Sequence, residues 1–299
     1  MKTILLTGAG GMVGRNILEA RWANDYRIFS PTRTELDLLD FSAVKKTLNE
    51  VKPDFVIHAA GHVGGIQANI REPVKFLLDN LEMGKNVVVA AKETGVKNLL
   101  NLGSSCMYPR NLLTPLTEDK ILSGELEPTN EGYAIAKIAV AKLCQFVTQT
   151  NPQLNFRTII PCNLYGRWDK FDTQRSHMIP AVISKISHAI ENDLSEVEIW
   201  GDGKARREFM YSGDLAEFIG QSLLRFTELP QYMNVALGYD YTINDYYQTI
   251  SEILGWKGRF LHDLSKPAGM ARKLCDVTLL NKFGWQAATS LREGLKQTV

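Results

Sequence analysis

Paired cysteines are missing from this chain of 299 residues. It has four, Cys106, Cys144, Cys162 and Cys275, and no two stand in a C-x-x-C spacing. That argues against a zinc site and against a disulfide framework, and it leads us to expect reduced thiols in a cytoplasm. Charge of one sign is also lacking. With 34 basic and 33 acidic side chains the net charge is +1, no run of like charge stands out, and neither nucleic acid nor an anionic membrane is expected as a partner. The expected ligand is small. Long hydrophobic runs are absent too: MKTILLTGAG reaches glycine after a short apolar stretch, too soon for a signal peptide, and no segment approaches the roughly 18 apolar residues of a membrane span. Repeats, linkers and low-complexity segments do not occur.

What is present suits a large globule, with 44% hydrophobic residues for its core. TILLT at 3–7 reads as a short buried strand. It is followed by Gly8-Ala-Gly-Gly11-Met12-Val13-Gly14 and by a helix expected from Arg15 to about Trp22. Glycines between strand and helix let backbone amides approach a pyrophosphate at the positive helix end, so a dinucleotide is expected here. The spacing, Gly-x-x-Gly-x-x-Gly, differs from the commoner Gly-x-Gly-x-x-Gly. A second strand near 26–30 ends in Ser-Pro-Thr-Arg33. An NAD-selective site offers a carboxylate at this point, whereas the charges here are cationic, Arg33 with Arg15 nearby, which favours NADP. Asp37 and Asp40 precede a helix expected over 42–51; one is expected to cap it and the other to contact the adenine edge.

DFVIH at 54–58 is a third strand running into Ala59, Ala60 and Gly61, small residues that leave room for a cofactor. His58 and His62 read as structural. A long helix over 74–94, with Asn80 and Asn86 among apolar positions, leads to a fourth strand at 98–102. Strands alternating with helices at this period give an α/β fold with a parallel, doubly wound sheet. Ligands of such sheets bind beyond the carboxyl ends of the strands, where the fourth strand delivers Gly103-Ser104-Ser-Cys106.

About thirty residues later comes EGYAIAKIAVAKLC, in which Tyr133 and Lys137 leave one helical face a turn apart. The pair alone fits any amphipathic helix. An ammonium beside a phenol favours the phenolate, so the Tyr133 pKa is expected to fall from about 10 toward neutral. With Ser104 at a strand end, the pair would meet a nicotinamide. Cys144, Cys162 and Cys275 read as packing residues. Trp200-Gly-Asp-Gly203 reads as a hairpin-like turn. A helix from Ser212 and a strand over 232–237 return to the first domain.

The stretches VGGIQAN, LGSSCMYP, EPTNEGYAIAKIAVAKLC, CNLYG, SHMIPAV, WGDGKARREF and KPAGMARKLCD resemble the extended short-chain dehydrogenase/reductases, and among them closely the GDP-L-fucose synthase family. The resemblance implies a Rossmann-like domain over 1–163 and about 211–239, with a smaller C-terminal α/β domain over 164–210 and 240–299 for the nucleotide-sugar. It implies Ser104, Tyr133 and Lys137 as a reductase triad using NADP(H), with Cys106 and His177 as base and acid for epimerisation at carbons 3 and 5 of a GDP-linked 4-keto sugar. Asn163, Lys185, Trp200, Arg207 and Lys266 are implied as substrate contacts, and a homodimer through helices near 80–94 and 133–149. The sequence departs from the family pattern at Gly10, where an Arg often stands, at Gly132 for the usual Pro, and at Lys185 for the usual Arg. Three activities follow: epimerisation with reduction of a 4-keto-6-deoxy-hexose; the same on another GDP-4-keto sugar, as toward colitose, or reduction alone on a heptose; and, of another class, a non-catalytic NADP-binding regulator.

Overall fold

The computed structural model describes residues 1–112, 115–171, 176–266 and 271–299. Its first half alternates: β1 (Lys2–Thr7), α1 (Met12–Glu19), β2 (Tyr26–Phe29), α2 (Phe41–Val51), β3 (Phe55–His58), α3 (Ile66–Arg71), α4 (Pro73–Glu93), β4 (Asn98–Leu102), α5 (Glu131–Thr150) and β5 (Asn155–Pro161). Then come β6 (Asn163–Tyr165), α6 (Met178–Glu191), β7 (Glu196–Trp200), β8 (Arg206–Arg207), β9 (Phe209–Tyr211), α7 (Ser212–Leu224) and β10 (Tyr232–Val235). The chain closes with β11 (Tyr241–Thr242), α8 (Ile243–Leu254), β12 (Arg259–Asp263), β13 (Arg272–Lys273), α9 (Thr278–Phe283) and α10 (Leu291–Thr298).

Six strands form one parallel sheet in the order β10-β5-β4-β3-β1-β2. Its central strands are apolar on both faces because helices cover both. Ile4, Leu6, Ile57 and Leu100 pack with Phe218 and Ile219 of α7, while Leu5, Val56 and Leu99 pack with Val87 and Ala91 of α4 and Val140 and Cys144 of α5. The order reverses between β1 and β3, so a crevice opens at their carboxyl ends, the usual ligand position in such sheets.

A second core gathers Ile179, Ile183 and Ile186 of α6, Ile199 of β7, Tyr246 and Ile250 of α8 and Leu295 of α10. It carries a parallel pair, β7 with β12, and a small sheet ordered β11-β8-β13. Cys275, Leu280, Phe283 and Trp285 belong instead to the core beneath the large sheet, so the stretch 240–299 crosses back once before α10.

Glu208 links the two regions. It is 1% exposed, and its carboxylate accepts from the amides of Leu237 and Gly238, both at 2.7 Å, and of Cys275 at 2.9 Å. Those bonds explain why β10 stops at Val235 rather than at 237: the next amides turn to a side chain. Two other boundaries differ from expectation. Helix α1 begins at Met12 because the glycine loop itself forms its first turn, and the segment after Ala20 winds as a 3₁₀ turn over Arg21–Asp25. Trp200 to Gly203 is a turn, with Gly201 and Gly203 at positive φ, but not a hairpin, because β7 and β8 lie in different sheets.

Close packing of α4 on α5 depends on glycine. A Cβ on Gly84 would stand 2.3 Å from Val140 Cγ2, and one on Gly132 would stand 2.9 Å from the Pro73 carbonyl oxygen. The missing proline at 132 thus accompanies a close approach of the two helices.

Candidate active site

Three strand ends converge on the crevice. After β1, Gly8 adopts φ +76°, and a Cβ there would lie 2.6 Å from the Ala60 amide nitrogen. A Cβ on Gly14 would lie 2.3 Å from the Gly8 carbonyl oxygen. The loop is therefore wound tightly against Ala59 and Ala60 at the end of β3. Gly11 caps α1 without a side-chain bond, and the first helical bond runs from the Arg15 amide to the Gly11 carbonyl at 2.9 Å. The amides of Met12, Val13 and Gly14 are left without intrahelical acceptors, as an anion site requires. Nothing lies within 4 Å of a Cβ on Gly10. This cradle fits a pyrophosphate.

Arg33 is exposed on the loop after β2. Arg15 is directed elsewhere: its Nε donates to the Gly10 carbonyl at 3.2 Å and its guanidinium stacks 4.6 Å from the Trp168 ring centroid. Asp40 caps α2 by accepting from the Ala43 amide at 3.1 Å. Asp37 closes a turn onto the Leu39 amide at 3.0 Å.

Beneath this wall His58 is buried, bonded to Thr7 Oγ1 through Nδ1 at 2.8 Å. Burial, with a smaller push from Lys137, lowers its pKa to about 3 and keeps it neutral. His62 pairs with Asp79 at 2.9 Å. Both histidines hold structure, as expected. Asn80 accepts from the His62 amide at 2.9 Å and donates to its carbonyl at 3.0 Å, which fixes the Gly61–His62 loop.

β4 ends at Leu102, and two residues on stands Ser104, whose Oγ accepts from the Cys106 amide at 3.2 Å and caps a 3₁₀ turn over Ser105–Met107. Cys106 is partly exposed, unlike the other three thiols, which are buried. From α5, Lys137 is 7% exposed; its Nζ donates to the Leu102 carbonyl at 2.9 Å and lies 5.8 Å from the Tyr133 ring centroid. Burial lowers its pKa to about 8, opposed by Cys106. Tyr133 does not behave as the spacing suggested. Its pKa is raised, first by desolvation and then by Cys106, with Ser104 partly offsetting the rise. The ammonium is bound to a carbonyl, and burial outweighs it, so Tyr133 is a protonated phenol.

Asn130, just before α5, donates from Nδ2 to Cys106 Sγ at 3.2 Å. Sequence reasoning passed over it, because an Asn at a helix start reads as an ordinary cap. Asp169 was passed over as well. It exchanges charge with His177, the N-cap of α6: burial lowers the histidine pKa against the pull of Asp169, and burial raises the Asp169 pKa against the pull of His177. No hydrogen bond joins His177 to Cys106, Ser104 or Tyr133 among the described residues.

The expected substrate contacts fall into two groups. Lys185 and Lys266 approach the exposed Trp200 ring at 5.7 and 5.9 Å from its centroid, and Lys185 also donates to the Glu198 carbonyl at 3.3 Å. Arg207, whose pKa burial lowers, feels the Glu127 carboxylate and donates from Nη1 to the Arg206 carbonyl at 2.8 Å. Asn163 spends its amide nitrogen on the Glu208 carbonyl at 3.0 Å, tying β6 to β9. The KPAGMARKLCD stretch falls partly outside the described residues, at 267–270.

The sequence profile of the NAD dependent epimerase/dehydratase family matches residues 4–238. The chain belongs to that family. It is 58% identical over 295 residues to the GDP-L-colitose synthase of Yersinia pseudotuberculosis, covering 99% of this chain and 96% of that protein. It is 45% identical over 297 residues to the GDP-L-fucose synthase of Azorhizobium caulinodans, covering 99% and 95%. Among solved structures, the GDP-mannoheptose C4 reductase of Campylobacter jejuni, with NADP bound, superposes with a TM-score of 0.88 at 30% identity, covering 99% of this chain and 96% of that one.

Proposed function

We propose that this protein is an NADPH-dependent epimerase and 4-reductase of a GDP-linked 4-keto-6-deoxy-hexose. The observation that carries the reading is the meeting of Ser104, Cys106, Tyr133 and Lys137 beyond β4: Ser104 Oγ accepts from the Cys106 amide at 3.2 Å, and Lys137 Nζ, 5.8 Å from the Tyr133 ring centroid, donates to the Leu102 carbonyl at 2.9 Å. Residues 1–163 and 211–239 hold NADP(H), through Gly8 to Gly14, Ala59, Ala60 and the exposed Arg33. Residues 164–210 and 240–299, less the stretch that returns beneath the large sheet, hold the sugar nucleotide. Lys185 and Arg207 face its diphosphate, Lys266 its nucleoside end, Trp200 stacks against it, and Asn163 lies at the sugar or a phosphate.

In the first step the Cys106 thiolate takes a proton from the carbon beside the carbonyl. The C–H electron pair becomes an enolate whose oxygen is held by the hydroxyls of Tyr133 and Ser104. His177 returns a proton to the opposite face, Asp169 favouring its charged form against the burial that lowers its pKa. When bound, NADPH supplies the hydride that reduces C4. Tyr133, a protonated phenol, then gives its proton to the C4 oxygen, and Lys137 holds that end of α5 against Leu102.

The relative at 58% identity favours a 3,6-dideoxy sugar within this class. Such a sugar carries two hydrogens on C3, so only C5 would be inverted. Incubation with NADPH and each GDP-4-keto sugar in deuterated water tests the reading. Deuterium should enter beside the carbonyl and NADPH should be consumed; Tyr133→Phe should abolish consumption and Cys106→Ser the deuterium. Reduction without deuterium in the wild type would leave a simple reductase, and no consumption with any such sugar would leave a regulator.

Exposed apolar residues on α4 and α5, Val74, Leu78, Ile135 and Phe146, support a homodimer through these helices. A thiol base stays reduced most readily in a cytoplasm, and the absence of paired cysteines supports that location. The product would feed polysaccharide synthesis.

A further inference from the structure

Asn130 occupies the N-cap of α5 and does not cap it. Asparagine is among the best N-cap residues because its side-chain oxygen can take an orphan amide of the first turn. Here that oxygen, Oδ1, is sealed from solvent and has no hydrogen-bond partner, while Nδ2 is turned to Cys106 Sγ at 3.2 Å. Two stabilising options are forgone for one contact to sulfur, and departures of this kind concentrate at functional sites.

The surrounding turns aim the amide. Glu127 accepts from the Thr129 amide at 3.4 Å and from its hydroxyl at 3.2 Å, and the Asn130 amide nitrogen donates to the Glu127 carbonyl at 3.1 Å. On the other side the Cys106 amide is tied to Ser104 Oγ. Thiol and carboxamide are thus fixed from two separate segments.

We propose that Asn130 is the positioning residue for the Cys106 base: its N–H holds the sulfur as thiolate, and its unpartnered oxygen accepts the S–H once a proton has been taken, after a half-turn of the amide. A thiolate is a pure acceptor and a thiol a donor, and the carboxamide, which has both functions at the reach of the sulfur, serves both ends of the cycle. The inference rests on Cys106 being the base proposed above.

The test titrates the thiol without any sugar. Cys144, Cys162 and Cys275 are buried with raised pKa values, so iodoacetamide on the folded enzyme reports Cys106, confirmed by peptide mass mapping. Asn130→Asp should move the pH midpoint of alkylation up by about one unit or more, a roughly tenfold slower reaction at neutral pH. Asn130→Ser should restore the cap, holding or raising the melting temperature, and still shift the midpoint upward. If both variants titrate as the wild type, or if Ser only lowers stability, Asn130 is structural and the proposal is overturned. In D2O, Asn130→Ser should also slow deuterium entry into the sugar. A shifted titration with no deuterium entry even in the wild type would leave the Asn130–Cys106 link standing and remove the epimerase reading instead.

Discussion

Lys137 ties the chemistry to pH. Its folded pKa of about 8 lies below its ordinary 10.5 because burial penalises the ammonium. Above 8 it loses the charge that anchors it to Leu102, and kcat/KM for NADPH, which reports the free enzyme, should fall with an apparent pKa near 8; a flat profile up to pH 9.5 would contradict the assignment. The stability effect has the opposite sign. Between 8 and 10.5 the unfolded chain binds the extra proton, so Lys137 makes folding more favourable as pH rises, by at most about 1.4 kcal/mol per unit. Ser104, Tyr133 and Lys137 were legible in the sequence because a strand end and a helical period are local. The protonation state of Tyr133 was not, since it depends on what the fold buries and on where the ammonium points. Nor was Asn130, whose partner is 24 residues away.

Elements were legible where caps are local. Asp40 caps α2, as one of the two carboxylates before that helix was expected to do. The Trp200–Gly203 turn was visible and its sheet partners were not, because register between distant strands leaves no mark in a short window. The α4–α5 contact gives a sharp energetic test. In a solvent-facing helix Gly→Ala gains about 1 kcal/mol. At Gly84 the new methyl meets Val140, whose branched side chain cannot rotate away freely, and overpacking costs about 1–3 kcal/mol. Gly84→Ala should therefore destabilise in chemical denaturation, and in a Val140→Ala background the same substitution should become neutral or stabilising.

At the scale of the whole molecule, Leu78 and Phe146 are each 55% exposed on α4 and α5, the helices proposed above to join two copies. Replacing both by Asp should halve the mass measured by sedimentation while leaving the fold intact; an unchanged mass would place the interface elsewhere. The two-lobed plan was visible as a family pattern, but the return of Cys275 to Trp285 beneath the large sheet was not, because apolar segments do not declare which core they join. Glu208 makes that return binding on the rest. One carboxylate serves a strand end of the large sheet and the segment before α9, and its own backbone serves Asn163. The lobe built on α6, α8 and α10 is therefore not a detachable module. A chimera that exchanges it between relatives has to carry position 208 together with 237–238 and 275, or leave three amides at the seam without their acceptor.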